Sequence, residues 1–447
     1  MDNMTGYMEK FSLRRFAGVA TAITLFCTAS DLATAGGASS FTQDLPDDYS
    51  KGGTTDELGT GKFESFPFKV SVTVRGGYDD NVNIETFDED ESLFTNAALG
   101  ITYQFGNART QLSLNGGVGG TYYFDRNDDD FDGEDFSSWD YNAYLGFNIT
   151  HRATPRLTLS AAVYATYQSQ PDFATVNLTT FTISRNSRDF FFSSNRFAVA
   201  YAWTPRFSTN TTYTLGVLNY EDSFISFFED RWEHTIGQEF RFLVLPTTTA
   251  IAEYRFGLVD YTDFEDRNST SHFLLAGFDH SFNPRFNMSA RAGVEFREFD
   301  NDDDLDPFDD DDGDDNRTHP YGEATVNYAL GQRTSISWFN RYSLEQPDVA
   351  EAFSRSTYRT ALSVRHNITT RIVAGLNFAY QHDDYDGNIL IDEFSEDAFD
   401  IALSVRYAIN RNFALDAGYQ HTQVMSDESL FREFSRNRVY GGVTFTF

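Results

Sequence analysis

The chain has one cysteine, ten prolines and a single long apolar run in 447 residues. The cysteine, Cys27, lies inside that run, so the chain beyond it can form no disulfide and no thiolate metal site. The run, FAGVATAITLFCTAS from Phe16 to Ser30, has 15 residues, against the roughly 20 that a membrane-spanning helix needs. It follows Lys10, Arg14 and Arg15 and precedes Ala33-Thr34-Ala35, which is the layout of an export signal. Residues 1–35 are therefore expected to be a signal peptide, with Met8 as an alternative initiator and Phe26 unsuited to a lipoprotein site. A mean hydropathy of −0.44 excludes a bundle of transmembrane helices. Basic charge is also short. The 34 Lys and Arg face 67 Asp and Glu, and a net −33 repels nucleic-acid phosphates. No Gly-rich phosphate loop follows a strand pattern.

Aromatic residues are abundant instead, with 45 Phe and 24 Tyr. Residues 36–66 are rich in Gly, Ser, Thr and acids without periodicity, and are expected to be a flexible segment. From Phe68 onward about ten alternating residues are followed by a connection, repeatedly, to the end of the chain. The connections alternate in kind. One set is short and marked by Asn, Gly, Pro and Arg, as in GNAR (106–109), TPR (204–206) and GQR (331–333). The other is long, acidic and rich in Asn and Gly. Eight short and nine long connections imply about eighteen strands, an even number within the range of outer-membrane barrels.

Facing follows from parity. Phe286, Met288, Ala290, Ala292, Val294 and Phe296 alternate with Asn287, Ser289, Arg291, Gly293, Glu295 and Arg297. Phe399, Ile401, Leu403, Val405 and Tyr407 alternate with Asp400, Ser404 and Arg406. The apolar rows end in aromatics: Tyr103, Phe105, Tyr201 and Trp203 beside short turns, Tyr122, Phe124, Trp139 and Tyr141 beside long connections. Two membrane interfaces select that arrangement. One such strand fits a soluble sheet equally well. Eighteen in phase, with polarised connections and an export signal, predict an all-β transmembrane antiparallel barrel over residues 67–447.

The chain ends in VYGGVTFTF, with Val443, Phe445 and Phe447 on the apolar row. This resembles the C-terminal signal by which outer-membrane proteins are recognised for barrel assembly. Gly76-Gly77-Tyr78-Asp79-Asp80-Asn81-Val82, closing the first strand, resembles the opening motif of the putative beta-barrel porin 2 family. The resemblance covers residues 68–447. It implies an outer-membrane barrel, in some cases associated with exopolysaccharide systems, and carries over no catalytic residue.

Inward-facing residues divide the wall in two. The first seven strands offer mostly Gly, Asn, Ser, Thr and Tyr. From strand eight onward charge appears, with Arg231, Glu239, Arg241, Glu253, Arg255, Arg291, Glu295, Arg297, Arg341, Arg359, Arg365 and Arg406 the expected lining. Such charges set the field along a pore. They can equally well pair with one another and brace the wall. Residues 300–315 hold eleven Asp in sixteen positions. Asp128, Asp130 and Asp132, before Gly133, match the first half of a calcium loop, but Trp139 stands where its bidentate Glu belongs. No cofactor is expected beyond calcium or magnesium held loosely by such acidic connections. The eight histidines are scattered, Asp279 and the adjacent His280 face opposite ways, and no nucleophile–base set converges, so no enzyme is expected.

The reading is an outer-membrane channel for passive diffusion of small hydrophilic solutes. The alternatives are a conduit or accessory for exopolysaccharide export, or a surface adhesin acting through the acidic connections. Expected partners are outer-membrane lipid, lipopolysaccharide, the barrel-assembly machinery and the solutes. Alternation alone does not specify whether a connection folds back into the lumen.

Overall fold

Alternating strands joined by tight turns form a meander, and a twisted meander of enough strands curls until the last meets the first. A computed structural model of the chain shows this closure: eighteen antiparallel strands in sequence order, with the first paired to both the second and the last. It describes residues 68–447 apart from 87–88, 127–136, 170–187, 265–266, 300–315, 350–351, 353, 387–392 and 428–431. The signal peptide, residues 36–66, the aspartates Asp128, Asp130 and Asp132, and the 300–315 run lie outside the described residues.

The chain opens with β1 (Phe68–Asp79), β2 (Ser92–Gly106), β3 (Thr110–Tyr123) and β4 (Trp139–Arg152). β5 (Leu157–Gln168), β6 (Phe190–Ala202) and β7 (Phe207–Tyr220) follow, then a short helix, α1 (Ser223–Glu229). Next come β8 (Arg231–Leu245), β9 (Thr248–Tyr261), β10 (Ser269–Asn283), β11 (Phe286–Phe299) and β12 (Arg317–Leu330). The circuit is completed by β13 (Thr334–Glu345), β14 (Arg355–Asn367), β15 (Ile372–Tyr385), β16 (Phe394–Ala408), β17 (Phe413–Ser426) and β18 (Phe434–Thr446). Strands run from 12 to 15 residues, longer than the roughly 9–11 that cross a bilayer, so they project beyond it.

The short turns share one device. Asn107 accepts from the N–H groups of Arg109 and Thr110 at 2.8 and 2.7 Å, which pins the chain reversal. Thr154, Thr204, Thr369 and Asn410 accept in the same way from the residues two and three positions on. In the 331–333 turn Gly331 takes φ +69°, a conformation that glycine adopts without steric cost.

The helix is the one element that alternation does not foreshadow. Asp222 caps it, accepting from the N–H groups of Phe224 and Ile225 at 2.9 and 3.1 Å. Elsewhere the two faces follow parity. In β13, Trp338 and Tyr342 are exposed outward while Phe339, Arg341 and Ser343 are buried on the inner face.

Candidate functional site: the inner wall and the outer mouth

Strands β8 to β12 bring opposite charges to one height of the inner wall. Arg291 reaches Glu239 at 3.1 Å, Glu253 at 3.2 Å and Asp279 at 3.4 Å, so one guanidinium ties four neighbouring strands. Arg255 pairs with Glu253 at 2.5 Å and Glu323 at 3.0 Å. Arg241 pairs with Glu239 at 2.8 Å and also with Asp279. Three arginines thus interlace with four acids, and the acids hold a slight excess. Higher up, Arg297 pairs with Glu295 at 2.8 Å, while Arg359 meets Glu345 at 3.3 Å and Arg341 shares the same carboxylate.

Above this lace three long connections bend inward, and each sets an apolar side chain on an apolar inner patch. Val82, fully buried, packs on Phe94, Tyr123 and Tyr440. Ile225 of α1 packs on the cluster of Phe190, Phe192, Leu218 and Tyr220. Ala352 and Val349, between β13 and β14, pack on Tyr385 and Phe394. Burying these surfaces is worth about 25 cal/mol per Å2, and that draws the connections in.

Charge pairs then fix the β13–β14 connection. Asp348 accepts from Arg355 at 3.0 Å and from the Tyr385 hydroxyl at 2.6 Å, and pairs with Arg432 at 3.2 Å. Arg432 in turn holds Glu396 on β16. On the opposite side the Tyr261 hydroxyl donates to Gln346 at 3.3 Å, and Arg267 donates to the Val349 carbonyl. The connection therefore spans from β9 to the segment before β18. Arg267 also faces Glu229 at 3.6 Å, and Arg231 meets the same carboxylate at 3.0 Å. Burial pushes the Glu229 carboxyl up to about 7, against the pull of Arg231 and then Arg267. Beneath Gln346 lies a cavity of about 60 Å3, bounded by Glu233, Ser271, Arg297, Tyr321 and Arg341.

At the barrel seam Asp79 accepts from Arg436 at 2.5 and 2.9 Å and lies 2.9 Å from Arg438. Asp80 accepts from the backbone and side chain of Asn437 at 2.5 and 2.7 Å, and Asn81 donates to the Ser435 carbonyl at 3.1 Å. Every one of these bonds joins the end of β1 to β18.

The model of the family described as Putative beta-barrel porin 2 matches residues 61–447. The chain belongs to this family. It is a porin-like barrel of the bacterial outer membrane, with its short turns periplasmic and its long connections outside. No curated protein matches it. Among solved structures it is similar to Pseudomonas aeruginosa OpdK crystallised with vanillate, at 11% identity and TM-score 0.43, covering 85% of this chain and 99% of that one. Acinetobacter baumannii OccAB3 is similar at 12% identity and TM-score 0.41, over 85% and 99% of the two chains. So is Pseudomonas aeruginosa OccK2 (OpdF) in complex with glucuronate, at 10% identity and TM-score 0.42, over 85% and 98%.

All twelve expected lining residues stand on the inward rows of this porin. Ten belong to the ion-pair groups just described. Arg406 lies opposite Asp416 in register, and Arg365, half-buried near the periplasmic end, has no side-chain partner among the described residues. One expectation needs correction. Charge is not confined to strand eight onward, because Arg75, Asp79 and Arg196 also face inward. Arg75 pairs with Asp416 at 2.5 Å, whereas Arg196 is exposed to the lumen without a partner among the described residues. The inner wall also carries apolar side chains, with Phe190, Phe192 and Leu218 beneath α1. Parity along β1, β6 and β7 places all of them inward, and that is the signal the sequence carries.

His234 and His366 face outward, bonded to Tyr213 at 2.9 Å and Thr334 at 2.8 Å on neighbouring strands. Asp279 is inward and His280 outward, where it meets Thr248 at 2.8 Å. Among the described residues no group of three or more His, Cys, Asp or Glu is placed to hold a metal ion.

Val443, Phe445 and Phe447, the residues of the expected assembly signal, lie on the outward row. Phe447 and Val70 exchange backbone hydrogen bonds of 2.9 Å in both directions, and the Phe445 ring lies tilted 4.7 Å from Phe413. Phe447 is 56% exposed. A Phe447→Asp protein is expected to reach the outer membrane in sharply reduced amount, because it charges the lipid-side row at the closing strand. Surface labelling at the normal level would refute this. Facing has its own test. Leu403→Arg should cost about 2–4 kcal/mol in urea unfolding, and Ser404→Arg clearly less. Gly293 does not serve as the inward partner in that comparison, for a Cβ there would fall 1.9 Å from the Leu274 carbonyl. Equal losses at Leu403 and Ser404 would mean that the two faces are not solvated differently.

Proposed function

We propose that this porin admits small hydrophilic solutes by passive diffusion, through a lumen narrowed at its outer mouth by the β13–β14 connection. The observation that carries the reading is the set of inward anchors on Asp348, which hold that connection across the opening. Eighteen strands leave room for an aqueous channel, and side chains or connections inside must set its width. Paired arginines and acids keep the wall hydrated at little net charge, which suits neutral or weakly charged solutes. A conduit for polysaccharide would expose aromatic rows for stacking on sugars. Here Phe94, Tyr123, Phe190 and Tyr220 are each at most 2% exposed, which favours the diffusion reading. A porin-family barrel also fits a protein without catalytic activity.

Conductance of the purified protein in a planar bilayer is the test. The acidic outer connections should gather cations at low salt, where screening reaches about 30 Å at 0.01 M, and lose that effect near physiological ionic strength, where it reaches about 8 Å. Reversal potentials should therefore indicate weak cation preference that fades as salt rises, and fades further when residues 300–315 are replaced by Ser and Gly. Calcium or magnesium held loosely there, or at Asp128, Asp130 and Asp132, should suppress the preference beyond its contribution to ionic strength. A protein that conducts nothing would overturn the channel reading, and anion preference at low salt would shift selectivity to the arginine wall.

A further inference from the structure

The periplasmic rim carries a charge pattern that solute diffusion does not require. Six of the eight short turns end on arginine at one structural position, immediately before the ascending strand: Arg109, Arg156, Arg206, Arg285, Arg333 and Arg371. The position is set by the fold. In five of these turns an Asn or Thr side chain two residues earlier accepts from the arginine's own N–H, at 2.8 to 3.3 Å. The carbonyl of each arginine then accepts from the next hairpin, as when Leu243 donates to Arg206 at 2.8 Å. All six side chains are exposed, and none has a hydrogen-bond or ion-pair partner among the described residues. Arg152 and, in a seventh turn, Arg411 add two more charges, and the eight short turns hold no Asp, Glu or Lys. Among the described residues, the short turns of a chain of net −33 thus form a cationic ring at one end.

Three features indicate what the ring meets. First, it lies directly below the periplasmic aromatic row, where Trp203 meets Tyr201 edge to face at 4.7 Å and Phe282 stacks 4.5 Å from Phe286. Aromatics mark the edge of the hydrocarbon, so the next residues stand at headgroup depth. Second, successive turns are two strands apart, about 10 Å at the spacing of a sheet. That is too far for several arginines to share one small anion, and it suits a separate headgroup at each. Third, the basic residue is always arginine, whose planar fork binds phosphate oxygens in pairs where lysine offers a point charge.

We propose that the arginine ring binds anionic phospholipids of the periplasmic leaflet, with one headgroup phosphate in the fork of each turn. The ring would anchor the barrel at a fixed depth and enrich anionic lipid around it.

Trp203, three residues from Arg206, is the reporter. A protein with Trp139, Trp232 and Trp338 replaced by Phe is refolded into phosphatidylcholine vesicles containing brominated phosphatidylglycerol or brominated phosphatidylcholine. The anionic lipid is expected to quench Trp203 at several-fold lower mole fraction, and high salt should erase the difference. Changing the six arginines to Gln should abolish the preference, and changing them to Lys should retain only part. Equal quenching by both lipids, or a preference that survives the six Gln substitutions, would overturn the proposal. So would full competition by millimolar inorganic phosphate, which would mark a site for a soluble anion. Should the sixfold variant fail to show the heat-dependent gel shift of a folded barrel, Arg206→Gln alone, beside the reporter, reads the same effect.

Discussion

Replacing Asp79 with Asn is expected to weaken the barrel by about 3–5 kcal/mol, the usual loss when one member of a buried ion pair is removed. Asp79 is fully buried, and Arg436 and Arg438 converge on it from β18, 6% exposed in the case of Arg436. Asparagine keeps the shape and removes the charge, leaving two largely buried guanidiniums without their carboxylate. The position is sensitive for a topological reason. The seam between β1 and β18 joins residues such as Thr73 and Thr444, 371 apart, so its entropy of closure is the largest in the molecule. Arg75–Asp416 and the insertion of Val82 support the same seam but do not replace the lost charge. The folded band on an unheated gel should therefore give way to the unfolded band at a markedly lower temperature. Asp80→Asn is the control. Its bonds to Asn437 are near the surface and partly kept by an amide, so a loss under about 1 kcal/mol is expected. Equal unfolding temperatures for Asp79→Asn and the unaltered protein would show that the opening motif does not lock the seam.

Much of this architecture is written in local pattern. Parity alone sets which side of β11 carries Arg291, Glu295 and Arg297, since a strand's faces differ by a single residue step. Turn chemistry sets the count of strands, because Asn107, Thr154 and Thr204 each reverse the chain within a few residues. The inner apolar patches are only half legible. Phe190 and Phe192 face inward by parity, yet what covers them is Ile225, beyond the end of the next strand. The inward course of the β13–β14 connection has no local signal. It depends on Asp348 meeting Arg432, 84 residues away, and on Gln346 meeting Tyr261, 85 residues away. The motif Gly76 to Val82 lies between these cases. Its residues are conspicuous in sequence, but their task becomes readable only once Asp79, Asp80 and Asn81 are seen to bond residues of β18.

The same long-range logic makes Asp348→Ala the substitution with the largest expected effect on transport. Asp348 is 6% exposed and is where Arg355, Tyr385 and Arg432 converge. Arg355 would keep Asp383 at 3.4 Å and Arg432 would keep Glu396, so the wall stays paired and the barrel should remain folded. The connection, by contrast, loses its hold on the β14–β18 side of the mouth. What remains is the 3.3 Å bond from Tyr261 to Gln346, the contact of Arg267 with the Val349 carbonyl, and a small apolar patch. Those are worth about 1 kcal/mol each for neutral hydrogen bonds, and more for the charged donor, against the several kcal/mol of the buried ion pairs. The connection should then leave the lumen for a substantial part of the time. Single-channel conductance is expected to rise several-fold, with more frequent switching between levels, and swelling of protein-loaded liposomes should extend to larger sugars. Replacing residues 346–354 by a short Gly-Ser link should reach the same high level without switching. If both variants conduct like the unaltered protein, the connection lies off the path and solutes pass elsewhere in the lumen. If the deletion opens the channel and Asp348→Ala does not, the patch formed with Tyr385 and Phe394, rather than the charge pairs, holds the mouth narrow.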